Sequence, residues 1–336
     1  MKVLGVSERL EQTGQIKEDV AQAADECGYK VELYHDVFQE YKKFDLLILG
    51  QSKELANWAV NLPVRALFSQ TYGLPNSFLL DHKGCYQRSS LFYGFPEILT
   101  SYMDERHLQW VDKFCHDLIH RGITRRAQEP VSENVKQPFI LLLLPRPRDI
   151  KVNLDTSYTL SSFVHEVCQY CSEHGYRLAI KPNPNLLSDR ATTDRHARNI
   201  ERNQRVVDRV LGEVTKKYTC ATVVSGPIHH FCRKCMLAID IGSNVAFDCI
   251  VNGCVTVQCS PSILSNTGAV VFRRKVRDGI AQALEIRQRT KMRRNQKAVI
   301  YHLYHRRLIL GQDIHDSELT NVEKICRQII QKSVQQ

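Results

Sequence analysis

The stretch "AIDIGSNVAFDCIVNGCVTV", Ala238–Val257, decides the fold class. An apolar run that reads as a strand ends at Gly242, a helical pattern follows from Asn244 to Gly253, and a second β-branched run opens at Val255. Strand, helix and strand in so short a space form a βαβ crossover, the unit from which parallel sheets with helices on both faces are built. Ser243 and Asn244 are residue types that cap helices, and the first amides of a capped helix suit an anion such as a phosphate. Asp248 lies one turn inside, where a carboxylate can accept hydrogen bonds from ribose or sugar hydroxyls.

The same alternation extends outward on both sides. Upstream, "FILLLLP" from Phe139, "RLAIKP" from Arg177 and "TCATVVSG" from Thr219 read as strands, with helices predicted over Thr159–Glu173 and Ile200–Lys216. The first half repeats the rhythm, with strands "MKVLGVS", "KVELYH", "FDLLILG", "VRALFSQ" and "NSFLLDH". A long amphipathic helix, "SYMDERHLQWVDKFCHDLIHRG", closes that half. The polar run "ITRRAQEPVSENVKQP" reads as a linker. The expected fold is α/β, with two Rossmann-like doubly wound domains at 1–122 and 138–290, a linker at 123–137, and basic C-terminal helices over 291–336.

Composition agrees. At 336 residues, 43% hydrophobic and 24% charged, two domains are expected, each able to bury its own core. No apolar run approaches the roughly 20 residues of a membrane span, and the N-terminus lacks the layout of a signal peptide, so a cytoplasmic location is expected. The twelve cysteines include two CxxC pairs, Cys168/Cys171 and Cys232/Cys235. A four-thiolate zinc site is the sharp reading of these pairs. Reduced core thiols are the reading preferred here, because the first pair falls on the apolar face of a helix.

Two further loops follow strands of the second half. "LPRPRDIKVN" crowds Arg146, Arg148, Asp149 and Lys151 onto a proline-stiffened turn, and arginine forks suit phosphate oxygens. In "YRLAIKPNPNLLSD", Pro182 and Pro184 hold Lys181 and Asn183 on a rigid mouth, offering a point charge and neutral hydrogen bonds. Either loop taken alone is also an ordinary surface turn.

Taken together, "LLLLPRPRDIKVN", "GYRLAIKPNP" and "IHHFCRKCMLAIDIGSNVAFDCIVNGCVTV" resemble, in order and spacing, the nucleotide-binding half of the bacterial capsule polysaccharide biosynthesis family, which includes Kdo transferases of GT-B architecture. A fainter echo, "LPNSFLLDHKGCYQRSSLFYG", is similar to the family's acidic segment in the first half. The resemblance covers about residues 60–265. It implies a GT-B-like glycosyltransferase whose second domain holds a nucleotide-sugar through Arg146, Asp149, Lys181, Asn183, Ser243, Asn244 and Asp248. Asn183 stands where the family has histidine, and Asp248 where it has glutamate. The catalytic position falls on Asp81 or His82, as base toward an acceptor hydroxyl or as nucleophile. No Asp-x-Asp pair is present, so side chains are expected to carry the phosphate charge, with no metal and no cofactor.

The net charge is +10, and between Arg273 and Arg307 twelve Lys/Arg face only Asp278 and Glu285. Arg273, Arg274, Lys291, Arg293 and Arg294 are therefore candidates for contact with an anionic glycan, an acidic membrane surface or nucleic acid. Three functions follow. The first is transfer to a bacterial surface or lipid-linked glycan. The second is glycosylation of a hydroxylated base in phage-type DNA. The third is a non-catalytic α/β binding protein that kept only the fold.

Overall fold

The computed structural model describes residues 1–7, 15–50, 65–72, 74, 77–83, 89–92, 103–124, 130–131, 135–147, 157–184, 194–286, 289–310 and 317–334. The chain divides into two compact units: Met1–Met103 with Val299–Gln336, and Asp104–Ala298. The division departs from the expected one at both ends. The helix at Glu105–His120 belongs to the second unit, and the C-terminal segment returns to the first.

In the first unit, β1 (Lys2–Ser7), β2 (Tyr29–Tyr34), β3 (Leu46–Leu49), β4 (Arg65–Thr71), β5 (Ser77–Asp81) and β12 (Leu308–Leu310) form one sheet in the order β12-β5-β4-β3-β1-β2. The first four strands are parallel. β5 runs against β4, because the residues between Thr71 and Ser77 are too few for a parallel crossover. Gly5 is required where β1 meets its neighbours: a Cβ there would lie 2.6 Å from Leu47 Cδ2 and 2.7 Å from Phe44. Helix α1 (Gln15–Glu26) stops at Gly28, whose φ of 78° is the left-handed conformation of a helix end. A short helix α2 (Val37–Glu40) is capped by Asp36, which accepts from the Phe38 amide.

The C-terminal segment completes this core instead of forming a separate basic appendage. After the turn Leu303–Arg307, β12 adds an antiparallel edge to β5. Helix α10 (Asn321–Val334) then buries Ile325 and Ile329 among Leu4, Val6, Val20 and Ile48. Lys324, 2% exposed, donates to the carbonyls of Tyr304 and Leu308, both at 2.9 Å. Tyr304 belongs to a π-type turn, whose altered ladder leaves acceptors for a side chain to satisfy, and Leu308 opens β12 just after it. Neither β12 nor the reversal of β5 was expected from the sequence.

The second unit opens with α3 (Glu105–His120), held by a capping box between Asp104 and His107. Its sheet joins β6 (Phe139–Leu143), β7 (Arg177–Lys181), β8 (Ala221–Val223), β9 (Leu237–Asp240), β10 (Thr256–Gln258) and β11 (Val271–Phe272) in the order β11-β10-β9-β6-β7-β8, parallel throughout. Counted within the unit this is 6-5-4-1-2-3, the dinucleotide-binding order, with its switch point between β6 and β9.

Both faces are covered, which is why "FILLL" is apolar without alternation. Ile140, Leu142, Leu178, Ile180 and Ile239 pack under α4 (Leu160–Glu173), α5 (Asp194–Lys217) and α8 (Val276–Leu284). Phe139, Leu141, Leu143, Ala179 and Ala238 face α6 (Ile228–Cys232) and α7 (Ala246–Val251). The division between units falls inside α9 (Arg289–His302). Among the described residues, no helix is long and apolar enough to cross a membrane.

Candidate functional site

In an open parallel sheet, ligands bind beyond the C-terminal ends of the strands, beside the switch point. In the second unit that rim is fixed by register. Leu143 of β6 lies opposite Lys181 of β7, and Leu142 lies opposite Ile239 of β9, so Leu143 is level with Asp240 as well. Strands lie about 4.8 Å apart, which separates Lys181 and Asp240 by about 10 Å with Leu143 between them. Lys181 is two residues beyond Ala179 and Asp240 two beyond Ala238, so both belong to the α6/α7 face. Both are buried, at 7% and 0% exposure. The Leu144 amide donates to the Lys181 carbonyl at 3.0 Å, which carries the ladder into the loop bearing Arg146.

Arg146 is exposed, and Asn183, between the two prolines, is half-buried. Asp149, Arg148 and Lys151 lie outside the described residues. Three of the expected donor contacts, Arg146, Lys181 and Asn183, thus stand at the ends of two adjacent strands of one rim.

The turn after β9 differs from expectation in a way that changes its chemistry. The amides of Gly242 and Ser243 both donate to the Asp240 carboxylate, so an internal anion already occupies them. Gln258 adds its side-chain amide to the same carboxylate at 3.3 Å, and Ser262 Oγ donates to Gln258 Oε1 at 2.6 Å. Gly242 adopts a φ of 115° to make this turn, and a Cβ there would meet the Ser260 carbonyl oxygen at 3.0 Å.

Ser243 and Asn244 do not cap α7. The cap residue is Val245, with no side-chain hydrogen bond, while Ser243 Oγ accepts from the Val245 amide at 3.3 Å in a turn just ahead of the helix. The amides of Gly242, Ser243 and Val245 thus all have partners within the chain. Asp240 is the residue that sequence reading missed. Its signal was its place at a strand end, two and three residues before a Gly-Ser pair. Asp248 sits in the first turn of α7, as expected, and is 8% exposed.

Asp81 and His82 are both buried, each within a hydrogen-bonded cluster of the first unit. Although β5 is reversed, Asp81 pairs with Phe68, which lies opposite Leu49 at the end of β3, level with the last residues of β1 and β2. Its carboxylate is 3% exposed and accepts from Arg307 at 2.7 Å, Ser89 Oγ at 2.7 Å, Ser90 Oγ at 2.7 Å and the Lys83 amide at 2.8 Å. Burial pushes Asp81 up, but Arg307 and the hydrogen bonds of Ser90 and Ser89 outweigh it and hold the carboxyl below its ordinary value. His82 is buried too. Its Nδ1 meets Gln328 Oε1 at 3.1 Å, and its carbonyl accepts from Lys332 at 3.0 Å. This cluster ties α10 and the preceding turn to β5.

The basic segment is not one surface. Arg307 pairs with Asp81, Arg306 with Glu318, Arg277 with Glu173 and Lys297 with Asp112. Arg293 turns inward to the Ile250 carbonyl at 2.7 Å, whereas Arg273, Arg274, Lys291 and Arg294 are exposed. Cys168 and Cys171 lie fully buried in α4, and all the described cysteines are free thiols. Among the described residues, no group of three or more His, Cys, Asp or Glu side chains is arranged to hold a metal ion.

No protein-family model matches the chain, and no curated protein matches it. Solved structures do. A β-Kdo 2,7-transferase of KpsC from Thermosulfurimonas dismutans is similar over 99% of this chain and 100% of its own, with a TM-score of 0.56 at 13% identity. A β-Kdo 2,4-transferase of KpsC from the same organism matches over 88% and 90%, with a TM-score of 0.54 at 13% identity. At this identity the likeness is one of fold: the chain has the two-unit α/β, GT-B-type fold of these capsule transferases.

Proposed function

We propose that this protein is a glycosyltransferase that takes a sugar from a nucleotide-activated donor and passes it to an acceptor hydroxyl. The observation that carries the reading is the switch-point rim of the second unit, where Lys181, the Arg146 loop and the Asp240–Asp248 segment end neighbouring strands. Transfer from a nucleotide-sugar builds negative charge on the departing phosphate, and fixed positive groups that meet this charge lower the barrier. Lys181 and Arg146 supply the charge, and the prolines flanking Asn183 limit the ordering cost of binding. Asp248 takes the sugar or ribose hydroxyls.

Asp240 gives the rim its stiffness, because a turn already closed by a carboxylate need not reorganise when the donor arrives. With its amides spent, Ser243 and Asn244 contact the donor through side chains. In this reading Asp81 is a structural carboxylate, and the acceptor's proton is not assigned to it.

A bacterial surface or lipid-linked glycan is favoured as acceptor over nucleic acid. The sequence resemblance and the fold both point to capsule transferases, and the basic segment spends much of its charge on internal ion pairs. The test is calorimetric titration of UDP-, CMP- and GDP-sugars, followed by donor hydrolysis and transfer with the sugar that binds. Asp248→Ala should weaken binding of that donor. Failure of every donor to bind or turn over would leave the non-catalytic reading.

A further inference from the structure

The rim opposite the donor loops carries a thiol cluster that glycosyl transfer does not use. Cys235 precedes β9 and Cys254 precedes β10, and their sulfurs stand 3.4 Å apart. Behind them Cys232 and Cys249 are 3.6 Å apart. A cavity of about 290 Å³ opens onto Cys232, Cys235 and Cys254, with Arg233, Arg289 and Arg293 in its wall. Cys235 is half-buried and Cys254 is 6% exposed. The pair is thus within reach of a small molecule and within reach of each other.

The electronic setting is asymmetric. Hydrogen bonds from Cys232 and Cys235 hold Cys254 well below the ordinary thiol range against the opposing effect of burial. Cys235 is pushed up by its bond to Cys254 and by burial. A thiol that is lowered beside one that is raised is the order expected of an attacking and a resolving cysteine. Cys168 is the inert comparison, fully buried and pushed up by burial to about 12.

We propose that Cys235 and Cys254 are a hydroperoxide-responsive thiol pair, closing to a disulfide at the mouth of this cavity. In the first step the Cys254 sulfur attacks the terminal peroxide oxygen. The O–O bond breaks, an alcohol or water leaves, and Cys254 becomes a sulfenic acid. In the second step the Cys235 sulfur attacks the sulfenic sulfur, expelling water and forming the S–S bond. Two thiols are oxidised by two electrons in all, and the peroxide is reduced. The proposal stands independently of the transferase reading, since the pair lies at the other end of β9 and β10 from the donor loops.

The test treats the reduced full chain with one equivalent of hydrogen peroxide, blocks the remaining thiols with iodoacetamide, and digests with trypsin and a protease that cuts before aspartate. The expected product is fragment Cys235–Ile239 joined to Asp248–Arg273 through Cys254, with loss of both thiols and full recovery on dithiothreitol. Cys254→Ala and Cys235→Ala should each abolish the link, and the unaltered chain provides the primary readout if either variant folds poorly. Three results would overturn the proposal: a link through Cys249, peroxide consumed first at other thiols such as Cys27 or Cys326, or thiols that become titratable only after zinc is released.

Discussion

Arg307→Met isolates what the Asp81 cluster contributes. The methionine keeps most of the aliphatic stem and removes the guanidinium, leaving Asp81, 3% exposed, with its serine and amide donors but without its Arg307 partner. Breaking a buried ion pair from one side costs about 3–5 kcal/mol. The donors that stay in place, among them Ser89, Ser90 and the Lys83 amide, favour the lower end. About 3 kcal/mol is a large share of the roughly 5–15 kcal/mol that stabilises a domain. In a unit of this size it lowers the midpoint by about 10 °C. Asp81→Asn added to Arg307→Met removes the stranded charge and keeps an acceptor for the serines, so the double variant should regain about 1–3 kcal/mol. Calorimetric unfolding reads both values. An Arg307→Met midpoint within a degree or two of the parent would refute the structural role of the pair. So would Asp81→Asn that abolishes transfer without moving the midpoint, which would return Asp81 to the chemistry.

The remaining predictions are independent of that pair. Burial, with Arg307 and Arg306, pushes His302 down to about 3, so the unfolded chain takes up a proton near 6.5 that the folded chain refuses. Stability should therefore decline as pH falls from about 6.5 toward 3, and His302→Gln should flatten that decline in urea titrations. Asp81, held below 3.8, keeps its contribution above that value and loses it only at lower pH, so the decline above about pH 4 belongs to His302 and not to Asp81. Gly242→Ala forces a Cβ to within 3.0 Å of the Ser260 carbonyl oxygen at a φ of 115°. It should cost about 1–3 kcal/mol in thermal unfolding and weaken donor binding by disturbing the turn. Thr159→Ala removes the cap of α4, whose hydroxyl accepts from the Ser162 amide at 3.1 Å, and should cost about 1 kcal/mol.

Much of the second unit was legible because its signals are local. Apolar runs such as Phe139–Leu143 and Leu178–Ile180 specify fully buried strands, and the helices between them force parallel crossovers in the first unit too. The strand-end location of Lys181 followed from the same pattern. Asp240 was not legible as the turn's internal anion, since nothing in "AIDIGSN" says whether its amides await a ligand or a neighbouring carboxylate. The ion pair of Asp81 was hidden for a different reason. Its partner Arg307 lies 226 positions away, and alternation alone does not tell a reversed strand from a parallel one. The ion pairs of the basic segment were not legible because charge counted along a chain carries no record of which acids it meets in space. Arg277 and Lys297 find Glu173 and Asp112 at 104 and 185 positions' distance.

The central claim is that the rim ending in Lys181 holds the phosphates of an activated sugar. Isothermal titration of the full chain with nucleotide-sugars, beside Lys181→Met, tests it most directly. The account predicts saturable binding of at least one donor, weakened about 10- to 100-fold in the variant, as expected for one charged hydrogen bond of about 1.5–3 kcal/mol. Equal affinity in both proteins would contradict it.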